Sequence, residues 1–161
     1  MNIFILDEDP AIAAQSLADQ HINKMIVEHC QLLATAHDKS ISPYKHTHIN
    51  HPCAKWVRKS FANYVWLVEC TGELLCERSH RWPDRKIHKT DAVWRWYAEN
   101  AHLANCEIIY PMTPFAQAMP DMFKGDDAVA AYRAYYKARK MLLRNKPAAW
   151  TNRDKPAWLL T

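Results

Sequence analysis

Glycine is almost absent from this chain, which has two in 161 residues, Gly72 and Gly125. Phosphate-cradling loops and dinucleotide-binding turns need closely spaced glycines, because their backbone angles are strained for other residues. The chain therefore lacks nucleotide-binding motifs of those kinds. It also lacks a CxxC pair among its five cysteines and an apolar run long enough to cross a bilayer. We expect a reduced, cytoplasmic protein with no membrane contact, no metal and no cofactor.

The residues that are present favour one compact domain. Hydrophobic residues make up 49% of the chain and aromatic residues 11%, enough to build a core. The length suits a single domain over residues 1–161, and we expect it to be a monomer. A formal net charge of +4 is compatible with a polyanionic partner.

Periodicity and capping signals predict an all-α protein, a helical bundle with long irregular loops. Only two short stretches, NIFIL at the start and EIIY near residue 107, could be extended. Asp9-Pro10, Pro52 and Asp127 mark helix starts, and a capping box at Ser16 predicts a bend in the first helix. The predicted helices are 10–37, 52 to just before Pro83, 90–103 and 128–144.

The first helix carries the most informative pattern. Steps of three or four residues place His21, Lys24, Glu28, Gln31 and Thr35 on one polar stripe, beside an apolar face that belongs to the core. A solvated surface would give the same stripe. However, Glu28 lies close to apolar neighbours, and a carboxylate partly shielded from water can be tuned for catalysis. We therefore select Glu28 as a candidate catalytic residue, although a single glutamate does not define a reaction.

Two further segments could contact nucleic acid. The loop before Pro52 contains several histidines, but their spacing fits no standard zinc site, and His51 before proline is typical of a helix cap or a phosphate contact. The last predicted helix interleaves aromatic and basic residues, as a nucleic-acid surface does, although an amphipathic helix with inward-facing aromatics has the same pattern. The predicted DNA contacts are His21, Lys24, His51, Arg58, Lys59, Tyr132, Arg133, Tyr136 and Lys137.

The segment Leu17 to His21, followed by Glu28, resembles the first helix of the phage pyrimidine-dimer DNA glycosylases of the endonuclease V type. Looser similarity extends through the His51 region and the segment after Tyr132. The resemblance implies a DNA repair enzyme in which an N-terminal α-amine attacks C1′ of the sugar. The glutamate of the first helix supports the resulting imine and the later strand cleavage. By the same placement, Glu28 would be the catalytic carboxylate and Met1 would supply the amine.

The chain also departs from that family. The stretch between Leu6 and Leu17 is longer, Cys30 and Gln31 replace arginines, and the bulk of Asn2 favours retention of Met1. We therefore expect a divergent DNA glycosylase, with hydrolase and lyase chemistry, that acts on a damaged or modified base. Its partner would be double-stranded DNA with a flipped base, in a bacterial or phage-infected cytosol. The alternatives are a transferase that modifies bases and a non-catalytic nucleic-acid-binding protein.

Overall fold

The computed structural model describes residues 1–143 and 145–160. Its helices are α1 (Pro10–Ser16), α2 (Asp19–Ala34), α3 (Pro52–Lys59), α4 (Phe61–Arg81), α5 (Asp91–Glu99) and α6 (Ala128–Arg139). Short 3-10 turns cover Ala101–Leu103, Asp121–Phe123 and Ala157–Leu159, and β1 (Leu142–Leu143) pairs antiparallel with β2 (Lys146–Pro147). The predicted all-α class is confirmed.

Helix α4 lies at the centre, with α1, α2, α3 and α5 packed against it. The close approach of α5 depends on Gly72, because a Cβ atom there would lie 2.7 Å from the Trp94 ring. The Trp94 indole also donates a hydrogen bond to the Val68 carbonyl, 2.9 Å away. One hydrophobic cluster joins these helices to the N-terminal segment and to α6.

The predicted helix over 10–37 is two helices rather than one bent helix. Leu17 and Ala18 are extended, and Ala18 starts α2 without a side-chain cap, so the predicted capping box at Ser16 is wrong. Groups distant in sequence produce the break, since the Ala18 amide donates to the Tyr136 hydroxyl and the Asp19 amide to the Ala149 carbonyl.

The second predicted helix is also divided, at Ser60. Its extended backbone ends α3, and its hydroxyl accepts a hydrogen bond from the Ala62 amide at the start of α4. The third ends earlier than predicted, at Glu99, before a 3-10 turn. The last ends at Arg139, and the predicted endpoint, residue 144, lies outside the described residues.

The caps predicted at Asp9 and Asp127 are confirmed, and His51 takes the cap role that was one of its two open alternatives. Asp9 accepts from the Ala11 and Ile12 amides, His51 from the Cys53 amide, and Asp127 from the Ala130 amide. Within the described residues, no helix is both long and apolar enough to cross a membrane.

Residues 2–6 run through the interior without joining a sheet. Ile3 to Leu6 are all buried, and Phe4 adopts a positive φ of 55°. The other segment that the sequence indicated could be extended, EIIY near residue 107, lies within the described residues and forms no strand. Its Ile108 makes one isolated parallel bridge with Ser60, which lies between α3 and α4. The buried N-terminal segment brings the start of the chain to the middle of α2.

Candidate active site at the N-terminus

Glu28 lies in the middle of α2 with its side chain 12% exposed. Lys24, one helical turn earlier and exposed to solvent, places its Nζ 3.4 Å from Glu28 Oε1. The apolar face predicted beside the polar stripe is buried as expected. The stripe itself is only partly open, because His21 and Thr35, at its two ends, are buried. Glu28 is therefore a shielded carboxylate beside an exposed cation.

The N-terminus meets the same carboxylate. The Asn2 amide donates a hydrogen bond to Glu28 Oε2 at 2.9 Å, and the α-amino nitrogen of Met1 lies 3.9 Å from that oxygen. Two predicted site residues, Met1 and Glu28, which are distant in sequence, are thus in contact.

Asn2 fixes this arrangement, and sequence reasoning did not identify its role. Its carboxamide donates to the Ala118 carbonyl at 2.8 Å and accepts from the Ile3 amide at 2.8 Å. The sequence gives no local sign of this role, because Ala118 is far from Asn2 in the chain and the two meet only in the folded protein.

Solvent reaches the Met1 main chain more than its side chain. The side chain is only 4% exposed, whereas the residue as a whole is half-buried. Most of the exposed surface therefore belongs to the main chain. An incoming substrate would meet backbone and amine rather than the thioether.

His51 joins the site from the start of α3. Burial, followed by the positive charges of the N-terminus and His48, lowers the pKa of His51. The Glu28 carboxylate and the Met1 main chain act in the opposite direction. The prediction that His51 contacts DNA stays a prediction, but its cap role and its position beside Met1 place it at the site.

Cys53 also lies near the amine but is not suited to act as a nucleophile. It is fully buried, and burial raises the pKa of its thiol to about 12. A thiol held in its protonated form is a weak nucleophile.

Three predicted DNA contacts are core residues instead. His21, Tyr132 and Tyr136 are buried, and His21 Nδ1 lies 2.6 Å from the Tyr136 hydroxyl. Burial, with Lys140 and Lys24 nearby, lowers the pKa of His21 to about 4, so the ring is neutral near pH 7. The aromatic face of α6 points inward, which is the alternative that the pattern left open.

Arg133 has contacts within the protein, and its predicted DNA contact stays a prediction. Its guanidinium donates to the Leu6 carbonyl and to the Asp7 carboxylate, both at 2.8 Å. It therefore anchors the end of the buried N-terminal segment, whereas Lys137 on the same helix is exposed.

The remaining predicted cations lie on α3. Arg58 is half-buried and donates to the Ile49 carbonyl at 2.7 Å, whereas Lys59 is exposed and pairs with Glu107. With Lys55 they border a cavity of about 540 Å³ between α3 and residues 113–116.

A larger cavity, of about 720 Å³, begins beside Lys24. Its other walls include Asn23, Trp82, Arg85 and Lys146. The Arg85 guanidinium stacks over the Trp82 ring, 4.4 Å from its centroid. The sequence did not single out Trp82 or Arg85. Three cations and an indole therefore line this cavity.

The histidine loop does not assemble a metal site in the structure. Among residues 1–143 and 145–160, no three histidine, cysteine, aspartate or glutamate side chains are grouped so that they could hold a metal ion.

The family model described as pyrimidine dimer DNA glycosylase matches residues 1–91. That range is more than half of the chain and includes Met1, Lys24, Glu28 and His51, but not α6. No curated protein matches the chain, and no solved structure does. Family membership rests on the length of the matched range. The N-terminus and Glu28, which are in contact, both lie within that range. The chain belongs to the pyrimidine dimer DNA glycosylase family.

Proposed function

We propose that this protein removes a damaged or modified base from double-stranded DNA, with the Met1 amine as nucleophile and Glu28 as proton acceptor. The main support is the contact of the N-terminus with Glu28, in which the Met1 nitrogen and the Asn2 amide approach the same carboxylate oxygen. An amine beside a shielded carboxylate is suited to proton transfer during imine formation.

The proposed reaction begins when the neutral amine attacks C1′ of the sugar. The bond from C1′ to the base breaks, and the base leaves with the electron pair and takes up a proton. Glu28 accepts a proton from the new ammonium nitrogen and then delivers it to the ring oxygen O4′ as the sugar opens. The product is a protonated imine between the protein and C1′.

Strand cleavage would follow from that imine. Loss of a proton from C2′ eliminates the 3′ phosphate, and water then releases the sugar fragment from the amine. Glu28 lies beside the amine and is the nearest carboxylate that could take the C2′ proton. The proposal therefore includes lyase activity on abasic sites.

The cavity beside Lys24 is suited to a nucleotide displaced from the duplex. Its lysines and arginine offer charges to phosphates, and its indole offers a face on which a base can stack. Extrusion of a nucleotide would also expose C1′ to a nucleophile at the protein surface.

Product analysis tests the proposal. Duplexes of one sequence should be prepared undamaged, ultraviolet-irradiated or with one abasic site, and the products separated on a denaturing gel and by mass. We expect cleavage of the abasic duplex, and breakage of the bond from C1′ to the base in the irradiated but not in the undamaged duplex. A product with added mass would favour a transferase, whereas binding without any product would favour a non-catalytic protein.

A further inference from the structure

Residues 108–112, called here the apolar loop, carry large apolar side chains into solvent. Ile109 is 66% exposed, Tyr110 73% and Met112 40%. Large apolar groups usually stay buried because exposure of their surface to water is unfavourable. A contiguous exposed group of them indicates a contact surface.

The backbone of the apolar loop is held firmly. The Ile108 amide donates to the Lys59 carbonyl, and the Phe61 and Ala62 amides donate to the carbonyls of Ile108 and Ile109. The loop is therefore fixed at the junction of α3 and α4, with its side chains directed outward on a rigid support.

The hydroxyl of Ser60 and the side chain of Asn63 add further links. The hydroxyl lies 3.1 Å from the Ile109 carbonyl and 2.8 Å from the Pro111 carbonyl, and Asn63 accepts from the Thr113 amide at 2.9 Å. A loop whose backbone is already held in this way loses little backbone conformational entropy on binding.

The surroundings of the apolar loop are cationic. Lys55, Arg58 and Lys59 line the adjacent cavity, and the one acidic residue lining it, Glu107, pairs with Lys59. Exposed apolar side chains beside several cations match a duplex, which offers base stacks between charged phosphates. An apolar surface that binds another protein would not need a group of cations beside it.

Helix α3 connects the apolar loop to the candidate active site. It begins directly after His51, beside Met1, and ends at Lys59, which contacts the loop. Eight helical residues span about 12 Å, and stacked bases are about 3.4 Å apart, so the separation corresponds to three or four base steps. Residues 113–118 return along the same cavity to Asn2.

We propose that the apolar loop is a wedge that enters the minor groove of duplex DNA, three or four base steps from the reacting sugar. Ile109 and Tyr110 would separate two base pairs and bend the duplex, while the cations of α3 contact the intervening phosphates. This inference rests on the proposed function, because the position of the wedge is measured from the site at Glu28. It adds a DNA contact outside the matched range.

The test uses the double variant I109S/Y110S and, as a matched control, L160S, which changes a side chain that is 76% exposed in the C-terminal tail. Both variants alter exposed side chains, so both should fold. The substrate is a duplex with one stable abasic analogue and a single 2-aminopurine at successive positions away from it. With the wild type, fluorescence should rise at the third or fourth step, where the wedge unstacks the base.

I109S/Y110S should lose that fluorescence rise and bind the duplex about tenfold or more weakly, with an unchanged salt dependence. L160S should behave as the wild type. Both variants should still cleave a single-stranded abasic oligonucleotide, which separates loss of the wedge from failure of the proposed chemistry. Wild-type fluorescence that is flat at all positions, or duplex binding unchanged in I109S/Y110S, would overturn the wedge. If duplex binding is unchanged and only self-association in sedimentation is lost, the loop is a protein contact instead.

Discussion

Glu28 combines two properties that seldom occur together on a helix surface. Its side chain is nearly buried, yet it contacts a main-chain amide, an exposed lysine and the N-terminus. The open main chain of Met1 beside this carboxylate is the feature on which the proposed chemical role rests.

Replacement of Glu28 by glutamine should therefore affect turnover rather than binding. Glutamine keeps the shape and can accept a hydrogen bond from the Asn2 amide, but it cannot accept a proton. We expect turnover to fall by about a hundredfold or more, with DNA affinity nearly unchanged. Glu69→Gln, on the exposed side of α4, is the matched control and should retain full activity. Near-normal turnover of Glu28→Gln would remove Glu28 from the mechanism.

Three buried histidines predict how stability depends on pH. Burial lowers the pKa of His21, His29 and His37 to about 4, from an ordinary value of 6.5. Between these values the unfolded chain binds more protons than the folded one, so acid favours unfolding. Stability is fully present above pH 6.5 and is lost as the pH falls toward 4.

From pH 6.5 to 5, each of these histidines should cost about 1 to 2 kcal/mol of unfolding free energy. Urea unfolding at the two pH values measures the change, and His29→Leu should show a smaller one than the wild type. Equal stability at both pH values would mean that these rings do not titrate as their burial requires.

At the level of the helices, the sequence predicted which segments are helical better than where they end. Asp9, His51 and Asp127 are local caps, and local signals were enough to find them. The breaks at Ala18 and Ser60 depend on Tyr136, Ala149 and the apolar loop, which no local pattern reveals.

In the candidate site, too, residues with a local sequence signal were found and residues whose role depends on distant partners were not. The helical period and the family resemblance selected Glu28 and Met1 as candidates, because both signals are local, and their catalytic roles stay a prediction. Asn2 and the Trp82–Arg85 pair were missed, since their roles depend on partners brought together by the fold. Tyr132 and Tyr136 were misassigned because interleaved aromatic and basic residues fit both a core face and a DNA face.

The C-terminal tail is joined to α2 and α4 by a buried ionic network. Arg81, which is 1% exposed, pairs with Glu77 and Asp19, and Arg153 of the tail pairs with Glu77. Burial works to raise the pKa of Glu77, but the hydrogen bonds and charges of Arg153 and Arg81 outweigh it and hold the pKa below its ordinary value. The Thr151 amide and hydroxyl also donate to Asp19, at the start of the helix that carries Glu28.

Glu77→Gln should destabilise the fold, because it leaves two guanidinium groups near the core with one anion fewer. We expect a loss of about 2 to 4 kcal/mol in unfolding free energy, measured by urea denaturation at pH 7. The exposed replacement Glu69→Gln should change it by less than about 0.5 kcal/mol. A loss below 1 kcal/mol for Glu77→Gln, as in the control, would show that the tail does not depend on this network.

Across the whole molecule, cations are grouped around two cavities. Lys24, Arg85 and Lys146 line one cavity, and Lys55, Arg58 and Lys59 line the other. Because the cations are grouped in this way, a small net charge of +4 can still give locally concentrated positive surfaces.

DNA binding should therefore depend on salt. A few phosphate contacts predict that log affinity falls against log salt with a slope of about −3 to −5. Lys55→Gln should make the slope shallower by about 1, whereas Lys155→Gln, in the exposed tail, should not change it. An affinity that does not vary between 50 and 200 mM salt, or no retention on DNA, would contradict a nucleic-acid role.

The central proposal, that Met1 is the nucleophile supported by Glu28, is tested most directly by borohydride trapping on abasic duplex DNA. Reduction of the imine during the reaction should leave a covalent protein–DNA adduct that peptide mapping assigns to Met1. Acetylation of the α-amine should abolish trapping, whereas Lys24→Ala should still be trapped. An adduct on Lys24, or strand cleavage at the abasic site with no adduct, would contradict this assignment.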